Sequence, residues 1–267
     1  MQKKISAIII VIVILSFLVT ACSAVNNPPS APTISPSLTP TPIIETATVT
    51  STGIISPRQA LELMYGKDRE YSTDWQGTPY VMLTTNAGYI YWVSINTLAC
   101  FWEFSSQKCF VITTWSEGSC HICGVHIEGS VFERRLDRWV MREYNSNIAL
   151  LGSFGYVSKG ELLQIGDQKH AILLKSGYGN QGSSNTTATI IAETNNSLNV
   201  VFQYYPTASQ DNAWKYMSDL NFYRNENDNY YYKMVITYFG TAQTGKTLPT
   251  QTYTFSGTEY VLLDRQK

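Results

Sequence analysis

Tyr80-Val81-Met82-Leu83-Thr84-Thr85-Asn86-Ala87-Gly88-Tyr89-Ile90-Tyr91-Trp92-Val93-Ser94-Ile95 places two runs of aromatic and β-branched residues on either side of Asn86-Ala87-Gly88. Such side chains fit a pleated surface, and Asn and Gly accept the backbone of a tight reversal. The stretch predicts strands over 80–84 and 88–95 joined by a turn. The same alternation recurs down the chain, with strands predicted over 110–115, 125–133, 139–143, 170–175, 189–193, 198–204, 230–238, 252–255 and 259–263. Turns fall at Lys159-Gly160, Ile165-Gly166-Asp167, Asn195-Asn196 and Asn227-Asp228-Asn229. Many short strands with turns between them imply a mainly β fold (β-rich α+β): antiparallel sheets in a sandwich or barrel-like arrangement with one or two short helices. The first helix starts at Ser56 as N-cap with Pro57 behind it, runs to about Met64 and is closed by Gly66. A second is predicted over 211–220, where Trp214, Met217 and Leu220 recur near helical spacing.

The start of the chain reads differently. Lys3 and Lys4 precede an apolar run over 5–18, broken only by Ser6 and Ser16 and followed by small residues. That run is too short for a bilayer-spanning helix and reads as a signal peptide. Val19-Thr20-Ala21-Cys22 resembles the lipobox of bacterial lipoprotein precursors. The resemblance covers the first 22 residues. It implies loss of a signal peptide at 1–21, a diacylglyceryl thioether (the palmitate-bearing anchor) on Cys22, and a place in the bacterial cell envelope. The globular part would then lie outside the cytoplasm, held to a membrane by its N-terminal lipid. Ser23 follows, so the Asp that retains some such proteins at the inner membrane is missing.

Residues 22–56 form a Pro/Thr/Ser-rich linker with the single charge Glu45. Its six prolines, Pro28 to Pro42, favour an extended, disordered tether that reaches roughly 100 Å at about 3.1 Å per residue. Residues 57–267 form the β-rich globular domain. Any seam within it falls near 145–155, which divides a cysteine-bearing half from a cysteine-free half.

Lys and Arg number 19 against 20 Asp and Glu, with no basic run, so a nucleic-acid partner has no electrostatic footprint. The stretch from Gly240 to Thr247 spells a phosphate-binding loop, but Leu248-Pro249-Thr250 behind it reads as extended rather than helical. Gly177-Tyr178-Gly179-Asn180-Gln181-Gly182 matches the dinucleotide fingerprint but leads into the β-prone Ile190-Ile191. Both are read as connections between strands, and no nucleotide or other cofactor is expected.

With Cys22 lipidated, Cys100, Cys109, Cys120 and Cys123 remain, an even number that outside the cytoplasm argues for disulfides. Cys100 and Cys109 flank a hairpin turn at Ser105-Ser106-Gln107, so a cross-strand bond is natural there. On an extended strand Cys120 and Cys123 would stand about 10 Å apart, beyond the limit of about 7 Å for a bridge. A turn between Gly118 and Gly124 would close that gap, and a crossed pairing such as Cys109 with Cys120 is also open. The competing reading is chemical. Cys120, His121, Cys123 and His126 supply ligands at a spacing zinc accepts, and a Cys-x-x-Cys pair can exchange thiol for disulfide.

His170, at a strand start, reads as a satisfied surface residue. Six Trp and 18 Tyr could stack on sugars, although aromatics in β proteins more often pair across strands. The sequence therefore favours a non-catalytic binding or scaffolding module for an envelope or extracellular ligand. Its alternatives are a thiol-redox or zinc enzyme centred on Cys120, His121 and Cys123, and a carbohydrate-binding module.

Overall fold

The computed structural model describes residues 47–48, 53–85, 88–116, 123–152, 156–180, 183–210, 213–226 and 228–263. Residues 1–21, Cys22, most of the linker, Asn86-Ala87, Gly118, Cys120, His121, Gln181-Gly182, Asp211 and Asn227 lie outside them.

α1 (Pro57–Tyr65) begins as its sequence dictates. Ser56 is extended, with φ −77° and ψ 153°, and its hydroxyl accepts from the Gln59 N–H at 3.2 Å. Gly66 ends the helix at φ 89°, a conformation an L side chain resists, and its N–H reaches Glu62 O at 3.0 Å. Ala60, Leu61 and Met64 form the buried stripe.

Two antiparallel sheets make up the rest. The first contains β1 (Ala47–Thr48), β2 (Tyr71–Thr73), β3 (Pro79–Thr84), β4 (Ile90–Glu103), β5 (Ser106–Ser116), β6 (Val125–Arg135) and β7 (Arg138–Leu151). Its order is β1-β7-β6-β5-β4-β3-β2. The second contains β8 (Glu161–Gly166), β9 (Lys169–Asn180), β10 (Ser183–Thr194), β11 (Ser197–Gln210), β12 (Trp214–Asn225), β13 (Asp228–Thr241), β14 (Gln251–Phe255) and β15 (Tyr260–Leu263). Its order is β12-β11-β10-β9-β8-β13-β14-β15, and β12 also pairs with β13. That extra pairing closes β8 to β13 into a six-stranded barrel. The fold is mainly β, with one short helix among the described residues.

The chain crosses from the first sheet to the barrel between Leu151 and Glu161. Ala171, Leu173, Ala188, Ile190, Met234 and Ile236 belong to one apolar cluster, within the barrel sheet. Their neighbours Ile172, Leu174 and Ile191 point the other way and pack on Phe101, Phe110, Ile112 and Ile127 of the first sheet. Strands β9 and β10 are buried on both faces, which is why they read as unbroken apolar runs. The opposite face of the first sheet is covered by α1, whose Ala60 and Met64 meet Val111, Phe132 and Trp139.

The helix expected over 211–220 is a strand. Along β12, exposure alternates residue by residue: Trp214, Tyr216, Ser218, Leu220 and Phe222 are half-buried while Met217 and Asp219 are exposed. A spacing of three suits a helix for Trp214, Met217 and Leu220, but Met217 lies on the opposite face from the other two. The turn expected at 165–167 lies one residue later, because β8 continues to Gly166 and Gln168 takes the left-handed φ of 61°. Asn195 and Asn196, at φ 54° and 67°, form the reversal between β10 and β11 as read. Behind Gly240 and Thr241 the chain turns through 242–250 and enters β14, and Gly177 to Asn180 are the end of β9.

Candidate functional site

The alternative thiol or zinc chemistry rests on the cysteines. The register of β4 and β5 sets Cys100 directly opposite Cys109, and the two form a disulfide. This rules out pairing of Cys109 with Cys120. Cys123 is also disulfide-bonded. His126 lies flat on Trp115, with ring centroids 3.7 Å apart and planes 3° from parallel. Among the described residues no group of three or more His, Cys, Asp and Glu could hold a metal ion.

Glu128 is a buried carboxylate on β6, 6% exposed, under α1. It accepts hydrogen bonds from Tyr65 at 2.6 Å, from Tyr144, and from the Trp115 indole N–H at 2.8 Å. Burial, and then the Glu128 charge, push the Tyr65 and Tyr144 hydroxyls well above the ordinary tyrosine value, so both stay protonated donors. Three hydrogen-bond donors satisfy the buried carboxylate. The cluster ties helix to sheet.

The second buried polar group opens to the surface. Lys108 on β5 lies between Glu103 at 3.0 Å and Glu193 at 2.7 Å, and Glu103 also pairs with Lys169. Burial raises the Glu103 carboxyl, but hydrogen bonds from Lys169 and Lys108 outweigh it and hold the group below its ordinary value. Burial likewise lowers the Lys108 ammonium, and Glu193 and Glu103 reverse the shift. The result is a quartet of two carboxylates and two ammonium groups, drawn from two strands of each sheet: β4 and β5 in the first, β9 and β10 in the second.

Above the quartet is a cleft of about 450 Å³ lined by Phe104, Lys169, Asp228, Tyr230, Tyr231, Phe255 and Gly257. Its origin lies in how β13 is paired. One edge of β13 is paired to β12, while the other is divided: Tyr231 meets Gly166 of β8, and Met234 to Ile236 meet β14. The lining residues flank the place where β8 and β14 part. Across from them, the β4–β5 turn brings in Phe104, held by a hydrogen bond from its N–H to the Gln168 side chain. Tyr231 stacks on Phe255 at 3.9 Å and 20°, forming one wall. Asp228 is fixed because its Oδ1 accepts from the Tyr230 and Tyr231 N–H groups at 2.8 and 3.1 Å. Burial, followed by the charges of Glu103, Glu193 and Asp228, pushes the Tyr231 hydroxyl up to about 12.

Phe104 shares two features with Leu136 of the β6–β7 turn, an exposed apolar side chain and a left-handed φ. It is 59% exposed, and its φ of 54° is a region that bulky residues avoid. Asn or Gly would turn there at less cost, and of the two residues only Phe104 lines the cleft. Tyr216 and Tyr238 pair across β12 and β13 at 5.7 Å, while Phe202 meets Tyr253 in the barrel's apolar cluster at 4.6 Å. His170 departs from expectation: it is half-buried against Phe101, and its Nδ1 is buried with no hydrogen-bond partner. It sits where the two sheets pack, a placement its own segment does not encode.

None of the residues that line the cleft stood out as a site in the sequence. The usable signal was an aromatic beside each of three turns: Phe104, Tyr230 and Phe255. Compared with known protein families, curated proteins and solved structures, the chain matches none.

Proposed function

We propose that this chain is a membrane-anchored extracytoplasmic lipoprotein whose β-rich domain is a non-catalytic module that binds its ligand in the cleft beside Phe104. The observation that carries the reading is the cleft itself. Aromatic rings, one ammonium and one carboxylate converge from two sheets on a single opening, held there by turns and a buried ion quartet. A clustered Glu103 and Glu193 give no free acid for general catalysis, because both are engaged by Lys108. The anchor rests on the lipobox resemblance at Cys22.

A fluorine reporter tests the binding reading. With 4-trifluoromethylphenylalanine at position 104 of the full chain, a mixed panel of sugars, short peptides and amines should include a member that shifts the resonance saturably. Tyr230→Ala should weaken that binding by about tenfold or more. A resonance unmoved by the whole panel overturns the reading. Intact mass with and without reductant and chelator addresses the rival enzyme: a bound metal or a free thiol at Cys120 or Cys123 would replace the binding module with the thiol or zinc reading. For the anchor, cells fed radioactive palmitate should label the chain but not Cys22→Ala, and an unlabelled parent chain removes the envelope placement.

A further inference from the structure

We infer that the cleft takes a neutral saccharide, an inference that rests on the cleft being the ligand site. The charges at the opening select against ions. Lys169 and Asp228 both line the opening, and Glu103 lies directly behind Lys169. An anion drawn to Lys169 would meet Asp228 and Glu103. A cation drawn to Asp228 or to the rings would meet the Lys169 ammonium, which already lies 5.7 Å from the Phe104 ring centroid. A neutral ligand rich in hydroxyls meets neither repulsion. Its oxygens accept from the ammonium, and its O–H groups donate to the carboxylate.

The shape of the cleft favours the same ligand. A pyranose ring presents faces of C–H bonds that need flat, apolar partners, while its rim needs polar ones. Phe104 and Tyr230 are 59% and 58% exposed at the cleft and supply the flat surfaces. Tyr231 and Phe255, stacked against each other, form a fixed wall rather than mobile side chains. Gly257 takes a φ of 105° with nothing within 4 Å of where a Cβ would stand, so the lip beside Phe255 is open. A purely apolar ligand would strip water from Lys169 and Asp228 and leave what Glu103 and the Tyr230 and Tyr231 amides do not satisfy unpaired, which disfavours a hydrocarbon or lipid tail. The volume lies within the range of about 300–1,000 Å³ usual for small-ligand clefts.

The same fluorine reporter at position 104 reads the test on the full chain in a sugar-free polyoxyethylene detergent. Cellotetraose, mannotetraose and chitotetraose are the neutral probes, compared with a tetragalacturonate, a glucosamine tetramer, choline and a tetrapeptide. At least one neutral oligosaccharide should shift the resonance saturably. Tyr230→Ala should weaken it by about tenfold or more, and Tyr230→Phe, which keeps the ring, should stay within about threefold. The charged tetramers should bind at least about tenfold more weakly than the neutral one. If choline, a charged sugar or the peptide saturates the signal and the neutral sugars do not, the saccharide inference is overturned and the cleft stands as a binding site. If every probe leaves it unmoved, both are overturned.

Discussion

His170 stacks on Phe101 with ring centroids 4.2 Å apart, and burial holds its imidazole below the ordinary value of 6.5. Below that pH the unfolded chain takes up a proton that the folded chain resists. Stability is therefore present above pH 6.5 and is lost as pH falls through the lowered folded value. His170→Phe keeps the stack and removes the proton, so its melting temperature should fall less than the parent's between pH 7.5 and pH 5. An equal fall in both would locate the acid sensitivity elsewhere. Glu103 acts in a lower window: its folded value lies below 4.5, so its contribution is lost only as pH drops beneath that. Lys108 presents a different problem, since its removal leaves the buried Glu103, still paired with Lys169, facing a half-buried Glu193 that has lost its cation. Lys108→Met should cost about 3–5 kcal/mol, the range for a buried pair that loses one partner. Urea midpoints measure it, and adding Glu193→Gln should recover part of the loss.

α1 is short and owes its place to what it packs against rather than to its own propensity. Tyr65, its last residue, joins Thr113 and Glu128 through one hydroxyl, so Tyr65→Phe should cost about 1–3 kcal/mol and speed amide exchange in the helix. The β4–β5 hairpin carries the Cys100–Cys109 bond across nine positions. Replacing both cysteines with Ala should lower stability by about 2.5 kcal/mol at most, since a short loop restricts the unfolded chain little. The sequence made this hairpin and α1 legible because each is specified locally: Ser56, Pro57 and Gly66 bound the helix, and a turn sits between the two cysteines. It misled at β12, where Trp214, Met217 and Leu220 fit a period of three while Tyr216, Ser218 and Phe222 fit a period of two. Only the pairing of β12 with β13 decides between them. The cleft was illegible for the same reason. Phe104, Tyr230 and Phe255 lie far apart in the chain, and nothing near any of them says that their turns converge.

Barrel closure depends on glycines at two contacts. A Cβ on Gly166 would lie 1.8 Å from the Tyr230 carbonyl oxygen, and one on Gly240 would lie 2.4 Å from that of Lys215. Gly166→Ala should therefore push β8 away from β13 and cost about 1–3 kcal/mol, with faster exchange in both strands. Because Tyr230 and Tyr231 sit at that contact, the same variant should also blunt any ligand shift at position 104. Intact exchange with normal ligand response would show that the two strands are held independently of the close approach. The divided edge of β13 carries a further consequence. The ring from β8 to β13 closes its hydrogen bonds without β14 and β15, yet Phe255 and Tyr260 of that hairpin are buried in the barrel's apolar cluster, and Phe255 and Gly257 also form the rim. A hairpin that stoppers a ring from inside can change only at its tip, around Gly257, without emptying the ring. Substitution there would alter what the opening admits while the stopper and its frame stay put.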